Sequence, residues 1–314
     1  MSTYSDKLKI FAGNCHPKLA KEICDYLGTS LVSAEITRFR DGEIGVAIDE
    51  TVRGADVFVV QPTSPPVNEN IMELLVMIDA LRRASARRIT AVVPYYGYAR
   101  QDRKAQPRDP ITAKLVANLI TTAGARRLLS IDMHAPQIQG FFDIPVDHLY
   151  AAPIMIDYFK DMNLENTTAV APDVGAVKRV RSFAESLDIP LAIVDKRRPK
   201  ANVAEVKNVI GNVDGRNVIL LDDIIDTAGT ITEAVRVLKE KGAKDVYVCA
   251  SHGLFSGPAV ERLKEAPITE LIITDTIPQN EDFGMDNLKV LSVAPLVGEA
   301  IDRIFKDLSV SVLF

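Results

Sequence analysis

Residues 218–230 read VILLDDIIDTAGT. Val218, Ile219, Leu220 and Leu221 form a continuously apolar run, as expected of a strand covered on both faces of a parallel sheet. It ends in Asp222 and Asp223, with Asp226 shortly after, and then come the small residues Thr227, Ala228, Gly229 and Thr230. Over 231–241 the apolar residues Ile231, Ala234, Val235 and Leu238 recur at helical spacing, with Lys239 and Lys241 in the last turn before Gly242. Strand, turn and helix in this order form half of a β-α-β unit. In open α/β sheets, ligands bind outside the carboxyl ends of the strands. The orphan N–H groups and dipole at the helix start make the turn a phosphate cradle. Carboxylates repel phosphate, so Asp222 and Asp223 suit hydroxyl groups or a magnesium ion farther along the ligand. A phosphorylated sugar satisfies both halves. The plainer alternative is an acidic flank that only caps the helix. Two acids directly behind four aliphatic residues weigh against it, because carboxylates at a core edge are costly unless paired or ligated.

The same alternation extends along the chain. Short apolar runs at 8–11, 55–60, 88–93, 127–131, 168–171, 191–194, 217–221, 245–250 and 270–274 are separated by amphipathic segments. Asp109 and Pro110 are an N-cap and N1 pair for a helix that stops at Gly124. The reading is an α/β chain with two doubly wound parallel-sheet domains, divided at 1–148 and 149–314. One segment, VKNVIGNVDGRNVILL, departs from the parallel pattern. There Asp214 and Gly215 read as a hairpin turn between two β-rich runs.

A length of 314 residues fits two domains, and a hydrophobic fraction of 47% is that of a globular protein. The net charge of −5 argues against a general nucleic-acid or anionic-membrane binder, so any basic cluster serves a small anion. Cys15, Cys24 and Cys249 form no C-x-x-C pair and indicate neither a disulfide framework nor a zinc site. No apolar run reaches membrane-span length and the N-terminus lacks a signal-peptide core, so a cytoplasmic location is expected.

The opening stretch matches the phosphoribosyl pyrophosphate binding motif shared by type I phosphoribosyltransferases and ribose-phosphate pyrophosphokinases. Further segments are collinear with the second group: RFRDGE at 38–43, YARQDRKAQPRDPITAKLVANL at 98–119, IDMHAPQIQGFFDIPVDHL at 131–149, APDVGAVKRVR at 171–181 and DKRRPKANVAEV at 195–206. On these the chain resembles class I ribose-phosphate pyrophosphokinase along nearly its full length. The resemblance implies transfer of the diphosphoryl group of ATP to the C1 hydroxyl of ribose 5-phosphate. It also implies two domains of the type I phosphoribosyltransferase kind with a small β-hairpin flag, and a last segment packed on the N-terminal domain.

Residue by residue, the resemblance makes Lys196 and Arg198 the catalytic pair on a loop, Arg198 also contacting ribose 5-phosphate. Asp222, Asp223, Asp226, Thr227, Ala228, Gly229 and Thr230 hold the sugar phosphate. Phe39, Asp41, Gly42, Glu43, Arg100 and Gln101 contact ATP, the first four across a subunit boundary. His134 and Asp173 bind Mg²⁺, the cofactor. Without the resemblance, Lys196 to Arg198 read as a solvated basic loop, His134 as a structural histidine and Asp173 as an N-cap for a helix over 176–187. Tyr95, Tyr96 and Tyr98 beside Arg100 suggest single-stranded nucleic acid, which the acidic charge opposes. Arg53, Ser85, Ser309 and Ser311 resemble the site where phosphate and ADP act as effectors, and a homo-oligomer, usually a hexamer, is implied. Departures from the family pattern are Ala176 for Gly, Thr51 for Ser, SHGLFSGPA and TDTIP. A phosphoribosyltransferase should lack the ATP segments, and a non-catalytic regulatory homologue should carry an interruption in DKRRP.

Overall fold

The structure is a computed structural model that describes residues 7–200, 203–279 and 283–313, with the backbone alone described for 196–200 and 203–207. The elements run β1 (Leu8–Ala12), α1 (Pro17–Leu27), β2 (Ala34–Arg38), β3 (Ile44–Ile48), β4 (Asp56–Val60), α2 (Val67–Arg83), β5 (Arg88–Val93), α3 (Thr112–Ala123), β6 (Arg127–Ile131) and β7 (Val146–Leu149). They continue with α4 (Ala152–Lys160), β8 (Thr167–Ala171), α5 (Val177–Ser186), β9 (Leu191–Lys200), β10 (Val203–Ile210), β11 (Asn217–Ile225), α6 (Gly229–Glu240), β12 (Val246–Gly253), α7 (Ala259–Glu265), β13 (Glu270–Thr274), β14 (Leu288–Leu291) and α8 (Ala294–Phe305). Two compact units result. The first holds residues 1–150, 276–278 and 292–314, the second 151–275 and 279–291.

The first unit is built on a five-stranded sheet in the order β1-β4-β5-β6-β7, all pairs parallel. Its residues alternate between two buried faces, as a sheet covered on both sides requires. Phe11, Val57, Val59, Ile89, Ala91 and Val93 pack with Leu74, Met77 and Ile78 of α2 and Val116 and Ile120 of α3. Ile10, Phe58, Val60 and Val92 face the other way and are buried as well. A bridge from Ile10 to Leu31 carries the chain to the free side of β1, while β4 pairs on the other side. The winding therefore reverses at β1, which makes the unit doubly wound. Beyond that bridge β2 and β3 form a separate antiparallel two-stranded sheet, a small hairpin of the kind the resemblance implies, at a place the apolar runs do not mark. Its residues are mostly half-buried or exposed, so no continuous apolar run announces it.

The second unit carries a seven-stranded sheet, β10-β9-β8-β11-β12-β13-β14, with reversal of winding between β8 and β11. All pairs are parallel except β10 with β9. This overturns the expected hairpin at Asp214 and Gly215: β10 pairs back on β9, and β11 lies between β8 and β12. Gly215, at φ +68°, donates its N–H to the Gly242 carbonyl at 2.9 Å, so the Asp-Gly turn joins strands that are not neighbours. The Asp109 and Pro110 cap is also corrected. The helix starts at Thr112 without a side-chain cap, because Asp109 Oδ2 is taken by the Gln106 N–H at 2.7 Å.

Candidate active site

The β8/β11 switch point of the second unit gathers the acidic residues of the opening stretch. The strand does not end at Leu221. Ile224 and Ile225 prolong β11, and the ladder with β12 continues to the Ile225–Gly253 pair, so Asp222 and Asp223 are strand residues within the sheet. Asp223 is buried and forms an ion pair with Arg179 of α5 at 3.2 Å. Asp222 Oδ1 accepts the backbone N–H of Asp223 at 2.9 Å. Burial first, and the neighbouring Asp223 carboxylate second, push the Asp222 carboxyl well above the usual carboxylate range. Two carboxylates with one guanidinium between them leave a site that a cation or a pair of sugar hydroxyls would complete.

Immediately beyond β11 lies the turn. Ala228 adopts φ +61°, ψ −3°, a left-handed conformation unusual for a residue with a Cβ, and serves as N-cap of α6. No side chain caps that helix, which begins at Gly229 rather than at 231. Its first N–H groups are therefore directed at the space beside Asp226 to Thr230, as anion binding requires. At the neighbouring strand end Asp173 Oδ1 accepts the Ala176 N–H at 3.1 Å. It thus caps the short 3-10 turn Val174–Ala176 that leads into α5.

The sequence places Lys196 and Arg198 in a loop. Their backbone instead continues in β9, with Lys196 paired to Val206 and Arg197 to Glu205 of β10, and their side chains lie outside the described residues.

In the first unit the residues assigned to ATP occupy two places. Phe39, Asp41, Gly42 and Glu43 form the tip of the β2–β3 hairpin. The Phe39 N–H donates to the Glu43 carbonyl at 2.8 Å and the Glu43 N–H to Asp41 Oδ1 at 3.1 Å. Gly42 sits at φ +96°, and the Phe39 ring is 56% exposed, open to stacking. Arg100 and Gln101 follow β5 on an irregular segment. Gly97 comes so close to the 61–64 loop that a Cβ there would lie 2.5 Å from the Thr63 carbonyl. Gln101 is fixed by Thr112, whose hydroxyl donates to its Oε1 at 2.5 Å. His134 follows β6 and is exposed.

Among the described residues no group of three or more His, Cys, Asp or Glu side chains encloses a metal site. Mg²⁺ is commonly held by one or two carboxylates together with substrate phosphates and water, so a closed cage of protein ligands is not a requirement for it.

Comparison with known proteins settles the family. Residues 8–124 match the model described as the N-terminal domain of ribose phosphate pyrophosphokinase, and residues 196–314 the phosphoribosyl synthetase-associated domain. The chain is 61% identical over 315 residues to the ribose-phosphate pyrophosphokinase of Caldanaerobacter subterraneus subsp. tengcongensis, covering 100% of both. It is 57% identical over 312 residues to that of Bacillus subtilis, covering 99% of this chain and 98% of the relative. The chain belongs to the ribose-phosphate pyrophosphokinase family. The fold agrees. The crystal structure of phosphoribosylpyrophosphate synthetase from Mycobacterium smegmatis matches at a TM-score of 0.90 and 45% identity, covering 96% of this chain and 99% of that one.

Within the family pattern, the Ala176 departure is conformationally silent: its φ of −81° needs no glycine, and its side chain is buried. Of the residues likened to the effector site, Ser85 accepts the Gly54 N–H at its carbonyl, 3.0 Å away, beside Arg53. Ser309 and Ser311 share a hydroxyl contact of 2.6 Å. Arg88, the first residue of the central strand β5, reaches Asp307 at 2.6 Å, two residues before Ser309.

The sequence reading overlooked Arg179 and Arg262. Each lies on a helix that flanks the site, and nothing in the local pattern of VKRVR or AVERL separates these arginines from solvated ones.

Proposed function

We propose that the chain transfers the β,γ-diphosphoryl group of ATP to ribose 5-phosphate, giving 5-phospho-α-D-ribose 1-diphosphate and AMP. The observation that carries this is full-length identity of 61% to a ribose-phosphate pyrophosphokinase. The site supports it: a turn with uncapped helix N–H groups for the 5-phosphate and, in the same strand, Asp222 and Asp223 for the ribose hydroxyls. The C1 hydroxyl oxygen bonds to the β-phosphorus as the link from that phosphorus to the α,β-bridging oxygen breaks. AMP leaves with that oxygen, and the hydroxyl proton is released. Negative charge spreads over the equatorial oxygens, and Lys196 and Arg198 supply the cations that stabilise it.

Asp222 and Asp223 orient the sugar. Arg100, Gln101 and the hairpin tip with Phe39, Asp41, Gly42 and Glu43 bind ATP. Asp173 and His134 are the residues that would hold Mg²⁺, which when bound neutralises phosphate oxygens. A homohexamer in which a neighbouring copy supplies the hairpin tip, phosphate and ADP acting at Arg53, Ser85, Ser309 and Ser311, and a cytoplasmic location complete the reading. The purified chain incubated with ATP, Mg²⁺ and ribose 5-phosphate should release AMP in step with sugar consumption. Accumulation of ADP would contradict diphosphoryl transfer, and absence of any turnover would favour a regulatory homologue.

A further inference from the structure

We infer that Arg262 is a positioning residue for the phosphate turn, and that it sets the affinity for the 5-phosphate of the substrate. The inference rests on the reading that residues 226–230 receive that phosphate. Arg262 projects from α7, and its Nη1 donates to the Thr227 carbonyl at 2.9 Å. A Cβ built on Gly229 would lie 3.2 Å from the same nitrogen, so the guanidinium lies over the turn and not only at its edge. The neighbouring residue is Ala228 at φ +61°. A left-handed alanine is strained and persists only where its surroundings hold it in place.

Two groups hold this turn from the β12–α7 side. The Ser256 N–H donates to the Asp226 carbonyl at 3.0 Å, and Arg262 takes the next carbonyl, that of Thr227. Orienting these carbonyls away from the ligand space turns the following N–H groups into it. Arg262 adds charge to geometry. Among the described residues no ion pair to a carboxylate is formed by Arg262, whereas Arg179, at the acidic end of the same site, is matched to Asp223. The two arginines thus divide the site. One balances the carboxylates that face the ribose, and the other brings a guanidinium to the phosphate end. A side chain at Gly229 would crowd the guanidinium, which would have to give by a few tenths of an ångström.

Steady-state kinetics of Arg262→Ala, Arg262→Gln and Arg262→Lys test this. For Arg262→Ala the KM for ribose 5-phosphate should rise about 10- to 100-fold, as loss of a charge-assisted bond that acts equally in ground and transition states predicts. The kcat at saturating sugar and the KM for ATP should change less than about threefold, because uniform binding is what is lost. Arg262→Gln keeps a donor and should fall between Ala and wild type, and Arg262→Lys should recover most of the affinity. Unphosphorylated ribose, tried as a poor substrate, should lose nothing, because the effect belongs to the phosphate. A KM for ribose 5-phosphate within twofold of wild type in Arg262→Ala overturns the inference, as does a loss confined to kcat. Thr227→Val and Thr230→Val separate this from the underlying reading. If they raise that KM while Arg262→Ala does not, Arg262 is a bystander; if neither they nor Arg262→Ala do, the turn is not the phosphate site.

Discussion

Replacing Asp222 by asparagine should stabilise the ligand-free chain and weaken its hold on ribose 5-phosphate together. Burial and the adjacent Asp223 push the Asp222 carboxyl up to about 8, whereas an aspartate in an unfolded chain titrates near about 3.9. The folded state therefore binds the proton more tightly. Stability from this group is fully present below about pH 4 and falls by about 1.4 kcal/mol per pH unit until the folded value is passed. Complete linkage would remove about 4 kcal/mol by pH 7, and because Asp222 retains partial solvent access we expect about half of that. The amide of the Asp222→Asn variant carries no titrating proton, so this slope should vanish. Urea unfolding at about pH 5 and about pH 8 reads the effect directly: wild type should lose about 2 kcal/mol more than the variant across that interval. Calorimetric titration with ribose 5-phosphate should show affinity reduced by about 10- to 100-fold in the variant, the worth of a hydrogen bond to a charged group. A variant that keeps the wild-type slope would refute the argument that Asp222 is a buried acid whose ionised form awaits a ligand.

The other predictions concern separate features. Asp56→Asn removes the buried carboxylate shared by Arg87 and Arg88 and should cost about 1–3 kcal/mol at neutral pH. Burial alone would raise Asp56, but the hydrogen bonds and charges of Arg88 and Arg87 outweigh it and hold the group below its usual value. Its stabilisation is present above about pH 4 and disappears as pH falls through the folded value, so unfolding curves of wild type and variant should converge in acid. Gly97→Ala drives a Cβ to 2.5 Å from the Thr63 carbonyl. It should lower stability by about 1–3 kcal/mol and raise the KM for ATP, whereas an unchanged melting temperature would show that the segment yields freely. Lys196→Ala should lower kcat by about 10³- to 10⁵-fold, as removal of a transition-state cation does, and a loss under about tenfold would make this lysine a solvated residue.

Much of the architecture was legible because parallel strands buried on both faces appear as uninterrupted apolar runs. β4, with Asp56, Val57, Phe58, Val59 and Val60 all buried, is the clearest case. β2, β3 and β14 escaped because they are half-exposed and mixed in composition, so their register is set by pairing and not by burial. The Asp214 and Gly215 turn misled for a related reason: turn chemistry states that the chain reverses, not which strand it meets next. In the site, Asp222, Asp223 and the small residues behind them were readable as a motif because their chemistry is local. Arg179 and Arg262 were not, since their contacts to Asp223 and Thr227 span 44 and 35 positions of sequence and only the packing of α5 and α7 creates them.

The fate of the β-phosphorus tests the central claim most directly. With ATP labelled at that atom and unlabelled ribose 5-phosphate, the account predicts that the label moves to the sugar product and leaves the nucleotide. Label retained in a nucleoside diphosphate would mean that only the terminal phosphoryl group is transferred, and would contradict it.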